Sequence, residues 1–345
     1  MLRFGLVGFG GIAKTHRKCI AMLEALGLGR LVCAYDVDPE AFTRNVAINI
    51  DVEGASKEKI NLYTDLDEML EKEDIDVINV CIPTYEHKDM TIKLLRRGYH
   101  VLCEKPMALN YADCLEMIAA ARESGRELMI GQCVRFYPHT EYIKAAVDDG
   151  RFGKVIGAVL QRLSGPPVWG WHNWFMDPEK SGGCLTDMHV HDVDYVRYLL
   201  GEPDSVSCTA STSVSVYDSV HSSFHYASLD NAPIVAIGDW SLAGTKFSAP
   251  MRVNFERATV IYDGKALTVY PKDGGEQYEV ELENYSGHFG EMRYFCDVIE
   301  GRCKNTRNPA ESAATTIKLV ECLRESVAQG GEVVKFDRAE EHKYI

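Results

Sequence analysis

The chain has 345 residues, 46% of them apolar, which suffices for about two domains with cores of their own and excludes disorder by composition. A formal net charge of −14 without any basic cluster argues against a nucleic-acid surface, and no apolar run approaches the roughly 20 residues of a membrane span. The eleven cysteines are scattered, with no C-x-x-C spacing and no metal-like cluster. Several, such as Cys33, Cys81 and Cys103, lie inside apolar runs and read as buried free thiols. With no charged leader and apolar signal segment, the expectation is a cytoplasmic chain.

Leu2 to Val7 reads as a short apolar strand, followed at once by Gly8-Phe9-Gly10-Gly11-Ile12-Ala13 and a helical pattern to about Leu26. This is the G-x-G-x-x-A form of a dinucleotide fingerprint in the context it needs, strand before and helix after. The first glycine makes the turn, the second admits a pyrophosphate, and Ala13 lets helix and strand pack closely. A second strand, Arg30 to Tyr35, ends at Asp36, placed to accept from a ribose 2′-hydroxyl and to repel a 2′-phosphate. NAD is therefore favoured over NADP. Asp36 could alternatively cap the helix starting near Pro39.

Strand and helix go on alternating. Strands are expected at Ile60 to Tyr63, Val77 to Ile82, the run ending before Glu104, and Leu128 to Gly131. Helices are expected at Leu66 to Glu73, from His87 to about Arg97, and at Tyr111 to Ser124. Such units imply a doubly wound parallel sheet over residues 1–130. Pro83-Thr84 and Glu104-Lys105-Pro106 then fall at strand carboxyl ends, on the edge that carries the glycine loop. Proline stops the strand and sends Lys105 out along a fixed direction. His87 reads equally as a cofactor contact or a first-turn surface histidine.

After Gln132 the pattern changes, and residues 131–345 read as a second domain. Thr140 to Asp149 is helical and Val155 to Leu163 a strand. Trp169, Trp171 and Trp174 then fall within six residues, either as aromatic walls for a sugar ring or as a loop pinned by its own packing. Gly182-Gly183 leads into a helical pattern to Leu200, on which Asp187 and His191 are i and i+4, with Asp194 three further on and His189 pointing away. An acid one turn from a histidine suits a general base, though considered alone a pair that caps or pins the helix is the better reading. His189 and His191 diverge on a helix, so no metal site is expected. From Ser205 to Glu283 consecutive strands imply a large, mostly antiparallel sheet with one face open, carrying Val, Tyr, Phe and Trp as a candidate subunit interface. Glu291 to Ile299 and Pro309 to Gln329 close the chain as amphipathic helices, followed by a strand at Val333 to Phe336.

Taken together, these motifs resemble the glucose–fructose oxidoreductase and inositol dehydrogenase family (Gfo/Idh/MocA) over essentially the whole length. The resemblance rests on Gly8-Phe9-Gly10-Gly11-Ile12-Ala13 with Asp36, on Glu104-Lys105-Pro106, on Gly182-Gly183 followed by Asp187-x-x-x-His191, on Arg135-Phe136, and on Glu291-Met292-Arg293-Tyr294-Phe295. It implies an N-terminal Rossmann domain followed by an open-sheet α+β domain, a dimer or tetramer, and oxidation or reduction of sugars or cyclitols with NAD(P). It also implies that Lys105 contacts both the nicotinamide and the reacting hydroxyl, with Asp187 and His191 completing the site. Glu104 joins Pro83, Thr84 and His87 on the cofactor side, and Gln132, Arg135 and Trp174 are expected substrate contacts. Two positions depart from the family pattern. Phe175 follows Trp174 where many members have Arg, and Cys133 stands where many have Asn.

The mechanism these residues suggest is proton removal from a substrate hydroxyl by His191 while Lys105 stabilises charge on the oxygen. The same residues would serve a redox-neutral glycosidase or epimerase that oxidises its sugar transiently. A non-catalytic NAD-binding regulator is the third class. The absence of a basic pocket beyond Lys105 and Arg135 favours a neutral polyhydroxylated ring.

Overall fold

The alternation of strand and helix in the first half becomes a six-stranded parallel sheet. A computed structural model describes residues 1–44 and 60–337. In chain order the elements begin with β1 (Leu2–Val7), α1 (Gly11–Ala25), β2 (Gly29–Tyr35), β3 (Asn61–Tyr63), α2 (Leu66–Lys72) and β4 (Val77–Val80). They continue with α3 (His87–Arg96), β5 (His100–Cys103), α4 (Tyr111–Ser124) and β6 (Leu128–Ile130). The strand order is β3-β2-β1-β4-β5-β6, and every pair is parallel. The order reverses between β1 and β4, the switch point where an open α/β sheet takes its ligand. Val77, Ile78 and Val80 are fully buried, as a strand covered on both faces requires.

The second half supplies α5 (Pro138–Asp148), β7 (Val155–Leu163), α6 (Pro178–Ser181), α7 (Gly183–Asp187) and α8 (Val190–Leu200). Seven strands follow: β8 (Ser205–Ser211), β9 (Ser219–His225), β10 (Ile234–Asp239), β11 (Met251–Phe255), β12 (Ala258–Tyr262), β13 (Leu267–Pro271) and β14 (Tyr278–Glu279). The last elements are α9 (Gly287–Ile299), α10 (Ala310–Ala328) and β15 (Val334–Lys335). A nine-stranded sheet runs β14-β13-β12-β11-β7-β10-β9-β8-β15, antiparallel except where β10 lies parallel to β7.

The chain divides into two compact units that are not contiguous in sequence. One comprises 1–136, 169–174 and 285–314, the other 137–168, 175–284 and 315–345. The return of residues 285–314 to the first unit was not expressed in a division at 130/131. Its cause is packing: Phe289, Met292, Phe295 and Cys296 of α9 join Phe4, Leu6, Ile20 and Leu23 in one apolar cluster. An amphipathic pattern says that a face will be buried, not against what.

Register in the large sheet corrects the expected open face. One row, Val206–Phe224–Ile234–Ala158–Val253–Val260–Val269, is buried throughout. The alternate row reads Ser207, Ser223, Val235, Val159, Arg252 and Ile261, all half-buried or exposed. Phe224, Phe255 and Trp240 are buried. The open face is thus a Val/Ile patch set among Ser and Arg, without the Phe and Trp expected on it.

Candidate active site

In the first unit the chemistry gathers at the strand carboxyl ends. Gly8 follows β1 with φ of +89°, and a Cβ there would lie 2.4 Å from the Cys81 carbonyl oxygen, so only glycine makes this turn. A Cβ on Gly10, the N-cap of α1, would meet nothing within 4 Å, which leaves the helix N-terminus open to an approaching anion. Gly11 opens α1, Ile12 packs against the apolar cluster, and Ala13 is fully buried in it. Phe9 is buried against Phe42, and its N–H donates to Asp36 Oδ2 at 2.7 Å. Asp36 Oδ1 accepts from the Asp38 N–H at 2.8 Å. Asp36 therefore joins the glycine loop to the end of β2. It also remains half-exposed, with lone pairs left for ribose hydroxyls.

Two buried side chains on this edge have polar atoms without a protein partner. Gln132, 1% exposed beyond β6, has neither its Oε1 nor its Nε2 hydrogen-bonded, and the buried Thr84 Oγ1 beyond β4 is in the same state. Each such group costs about 1–3 kcal/mol unless something satisfies it. Open space at Gly10, the carboxylate of Asp36 and the orphaned Thr84 hydroxyl together fit a dinucleotide.

Three expected contacts are otherwise engaged. His87 is buried, with Nδ1 2.8 Å from the Pro106 carbonyl and Nε2 2.9 Å from the Ile82 carbonyl. Burial lowers its pKa, partly countered by the two carbonyls; a neutral ring has one N–H, so it donates to one of them and only approaches the other, between the loops after β4 and β5. Arg135, also buried, donates from Nη1 to the Arg307 carbonyl and from Nη2 to Ser312 Oγ, both at 2.8 Å. Its guanidinium ties the segment after β6 to Arg307 and to the first turn of α10. Glu104, 5% exposed, faces inward: Oε1 lies 2.7 Å from His16 Nε2, and Oε2 accepts from the Lys105 N–H at 3.2 Å. Burial pushes its pKa up, but the bond and charge of His16, with the charges of His288 and Lys105, bring it down to about 2. Pro83 caps the turn that presents Thr84.

The tryptophan stretch belongs to the first unit as well. Trp169 and Trp171, 38% and 41% exposed, line a cavity of about 600 Å³ with Val37, Asp38, Pro39 and Arg44. Arg44 is held by Asp38 at 2.6 Å. These rings therefore stand beside the segment that follows Asp36, where a dinucleotide's adenosine end belongs. Trp174, half-buried, ends the stretch.

The second unit brings Asp187 and His191 to one corner, but not on one helix. The chain breaks at Met188 and His189, where both backbone N–H groups donate to the Cys184 carbonyl. Asp187 is thus the last residue of α7 and His191 lies in the first turn of α8. Gly182 and Gly183 make the preceding corner, both at positive φ, and a Cβ on Gly183 would collide with the Val216 carbonyl. Asp194 follows His191 by three residues on α8 but is taken up by the fold. It is fully buried and accepts from Thr316 Oγ1 at 2.8 Å, which in turn accepts from Arg197 Nη1 at 2.6 Å. Asp192 forms a two-pronged buried pair with Arg162 at 3.0 and 3.1 Å. His189, at the break between the helices, has its Nε2 2.8 Å from Ser222 Oγ, and burial lowers its pKa to about 3. Among the described residues no group of three His, Cys, Asp or Glu is placed to hold a metal, and no helix is long and apolar enough to cross a membrane.

His16, Asn79 and His288 were missed by sequence reasoning. Their signal was a polar residue on an otherwise apolar face or strand, Asn79 lying within Val77–Val80 and His16 near Ala13, Cys19 and Ile20.

Comparison with known proteins gives two family matches. Residues 2–132 match the Gfo/Idh/MocA model described as an oxidoreductase family with an NAD-binding Rossmann fold. Residues 140–261 match a Gfo/Idh/MocA C-terminal domain. The chain is 31% identical over 214 residues to 2,7-anhydro-N-acetylneuraminate hydratase of Escherichia coli K12, covering 60% of this chain and 52% of that one, so it spans about half of that relative. It is 30% identical over 264 residues to inositol 2-dehydrogenase of Rhizobium meliloti 1021, covering 76% and 71%. A solved aldose–aldose oxidoreductase from Caulobacter crescentus, complexed with glycerol, superposes with a TM-score of 0.80 over 97% of this chain and 99% of that one. At 23% identity it shares the fold.

Proposed function

Because the chain belongs to the Gfo/Idh/MocA oxidoreductase family, we propose that it transfers hydride between NAD(H) and a hydroxyl-bearing carbon of a neutral sugar or cyclitol. The observation that carries this reading is the unsatisfied amide of Gln132 on the strand edge that also carries Lys105. A polyhydroxylated ring offers that amide both donors and acceptors, which an apolar substrate cannot. NAD, when bound, supplies the hydride acceptor. Lys105 donates to the reacting oxygen and offsets the charge that develops on it. In the role that the family resemblance implies, His191 takes the hydroxyl proton and Asp187 positions it. Asp36 selects a free ribose hydroxyl over a phosphate. Trp169 and Trp171 wall the adenosine end of the cofactor, while Trp174 remains the aromatic contact for substrate. With Arg135 engaged elsewhere, Lys105 is the remaining cation of the expected pair, which favours a ring without phosphate.

The test is a panel of monosaccharides, cyclitols, sugar acids and sugar phosphates, followed by absorbance of NADH in both directions. Activity confined to sugar acids or phosphates would contradict the neutral-ring reading. A second reading has its own support. The Escherichia coli relative is named a hydratase, and adding water involves no net oxidation. A redox-neutral cycle would use the same lysine and base but leave no NADH behind. For assembly, we propose a homodimer or homotetramer through the open face of the large sheet around Val159, Val235 and Ile261. A monomer by light scattering at micromolar concentration would remove that proposal.

A further inference from the structure

Under the glycine-loop helix lies a polar cluster that the mechanism above does not use. His16 on α1 is fully buried. Asn79, in the middle of β4, approaches it with Nδ2 3.0 Å from Nδ1. With the Asn79 amide as donor, Nδ1 accepts and the Nε2–H is donated to Glu104 Oε1 at 2.7 Å; in either protonation state of the ring Nε2 is the donor to Glu104. The other carboxylate oxygen holds the Lys105 N–H. Gly131 leaves room for this carboxylate: a Cβ there would lie 3.0 Å from Oε2.

We propose that His16 is a positioning residue for the reaction: it fixes the Glu104 carboxylate against the Lys105 main chain, so its loss is felt in the chemical step and not in cofactor binding. The inference rests on the reading of Lys105 as the partner of the reacting hydroxyl. A buried carboxylate stripped of its donor either takes up a proton or turns away, and in both cases Lys105 loses a fixed neighbour and a nearby negative charge.

The groups around the pair leave His16 in this role. His288, from α9, has its ring 6.2 Å from that of His16, and burial lowers its pKa to about 4, so it is neutral at working pH. Burial raises the pKa values of the nearby thiols Cys19, Cys81 and Cys103, so they too are neutral. Lys105 lies on the Glu104 side, and Glu291 is buried on α9. Removing the His16 donor leaves the burial of Glu104 opposed by the Lys105 N–H and the charge of Lys105.

The experiment compares His16→Ala with His16→Gln, whose amide still donates to Glu104. On a substrate from the panel, His16→Ala should lower kcat by about 10²-fold, the cost of misplacing a reacting group by about 1 Å, with the NADH Kd within about twofold of the parent. The acid limb of its kcat/KM profile should move to higher pH, and His16→Gln should restore both. Equal impairment of the two variants with an unshifted profile, or a loss seen only as weaker NADH binding, would overturn the proposal.

A second readout needs no substrate, so it stands if the sugar or cyclitol reading fails. While Glu104 is depressed below its unfolded pKa, its contribution to stability is constant from pH 5 to 8. Once the folded pKa is raised above the unfolded one, stability is fully present below the unfolded pKa and is lost as pH rises through the folded value. Thermal melts of His16→Ala should therefore fall progressively below those of His16→Gln from pH 5 to 8, and the divergence should vanish when both carry Glu104→Gln. A gap that is constant with pH, or that survives Glu104→Gln, would contradict the proposal.

Discussion

The two units treat buried charge differently. In the first, Glu104 is held by a histidine and a main-chain N–H directly beside Lys105, and Gln132 on the same edge is left unsatisfied. In the second, the charges of α8 are mostly consumed by the fold: Asp192 by Arg162, and Asp194 by Thr316 and through it Arg197. Asp187 and His191 stand at the break where α7 ends and α8 begins. The contrast teaches that an acid and a base near one another in sequence do not by themselves mark chemistry. Asp192 and Asp194 show how an acid of this segment is absorbed by the fold, through Arg162 in one case and Thr316 in the other.

The sharpest way to break this contrast is to mutate both classes in the second unit. His191→Ala, like Lys105→Ala in the first, should lower turnover by about 10²–10⁴-fold while the melting temperature stays near that of the parent. Asp192→Ala should instead cost about 3–5 kcal/mol of stability in denaturant titration, because it strands the Arg162 guanidinium without its partner. Activity per folded molecule should survive. If Asp192→Ala were stable but inactive, or His191→Ala active but unstable, the assignment would be reversed.

Smaller in effect is the response to acid. Burial lowers the pKa values of His189 to about 3 and His139 to about 4, both in the second unit, against about 6.5 in an unfolded chain. Their folded forms bind fewer protons, so the stability they contribute is present above about pH 6.5 and is lost as pH falls towards those values. Melts between pH 7 and pH 4 should show this loss, and His189→Gln should flatten the curve. A curve as steep in the variant as in the parent would remove His189 from the account. Smallest of all is Trp171→Ala. It should weaken NADH binding by a few-fold without changing kcat, since the ring lines the cavity beside Asp38. Lower kcat with unchanged NADH affinity would return the tryptophan to the substrate.

How far these distinctions could be read in the sequence follows the same line. Gly8 to Ala13, Asp36 and Glu104-Lys105 were legible because phosphate and ribose recognition demand particular residues in a fixed order along one strand–turn–helix unit. The pairing of His16 with Glu104 was not, because 88 residues separate them and only the parallel sheet brings them together. Arg135 was read as a ligand because a cation after a strand end looks the same whether its partners are substrate oxygens or, as here, Arg307 and Ser312 more than 170 residues away. The single helix drawn from Gly183 to Leu200 failed at Met188. Apolar spacing survives a one-turn break, so periodicity carried no warning of it. Alternation in the large sheet was clear, but which alternate set faced the helices depended on register between strands.

The most direct test of the central claim is the amount of NADH formed per molecule of sugar or cyclitol consumed, with Lys105→Ala and His191→Ala as controls. Hydride transfer of the kind proposed predicts one NADH for each substrate molecule, abolished in both variants while NADH binding persists. Substrate consumed by the parent protein without accumulation of NADH would contradict it.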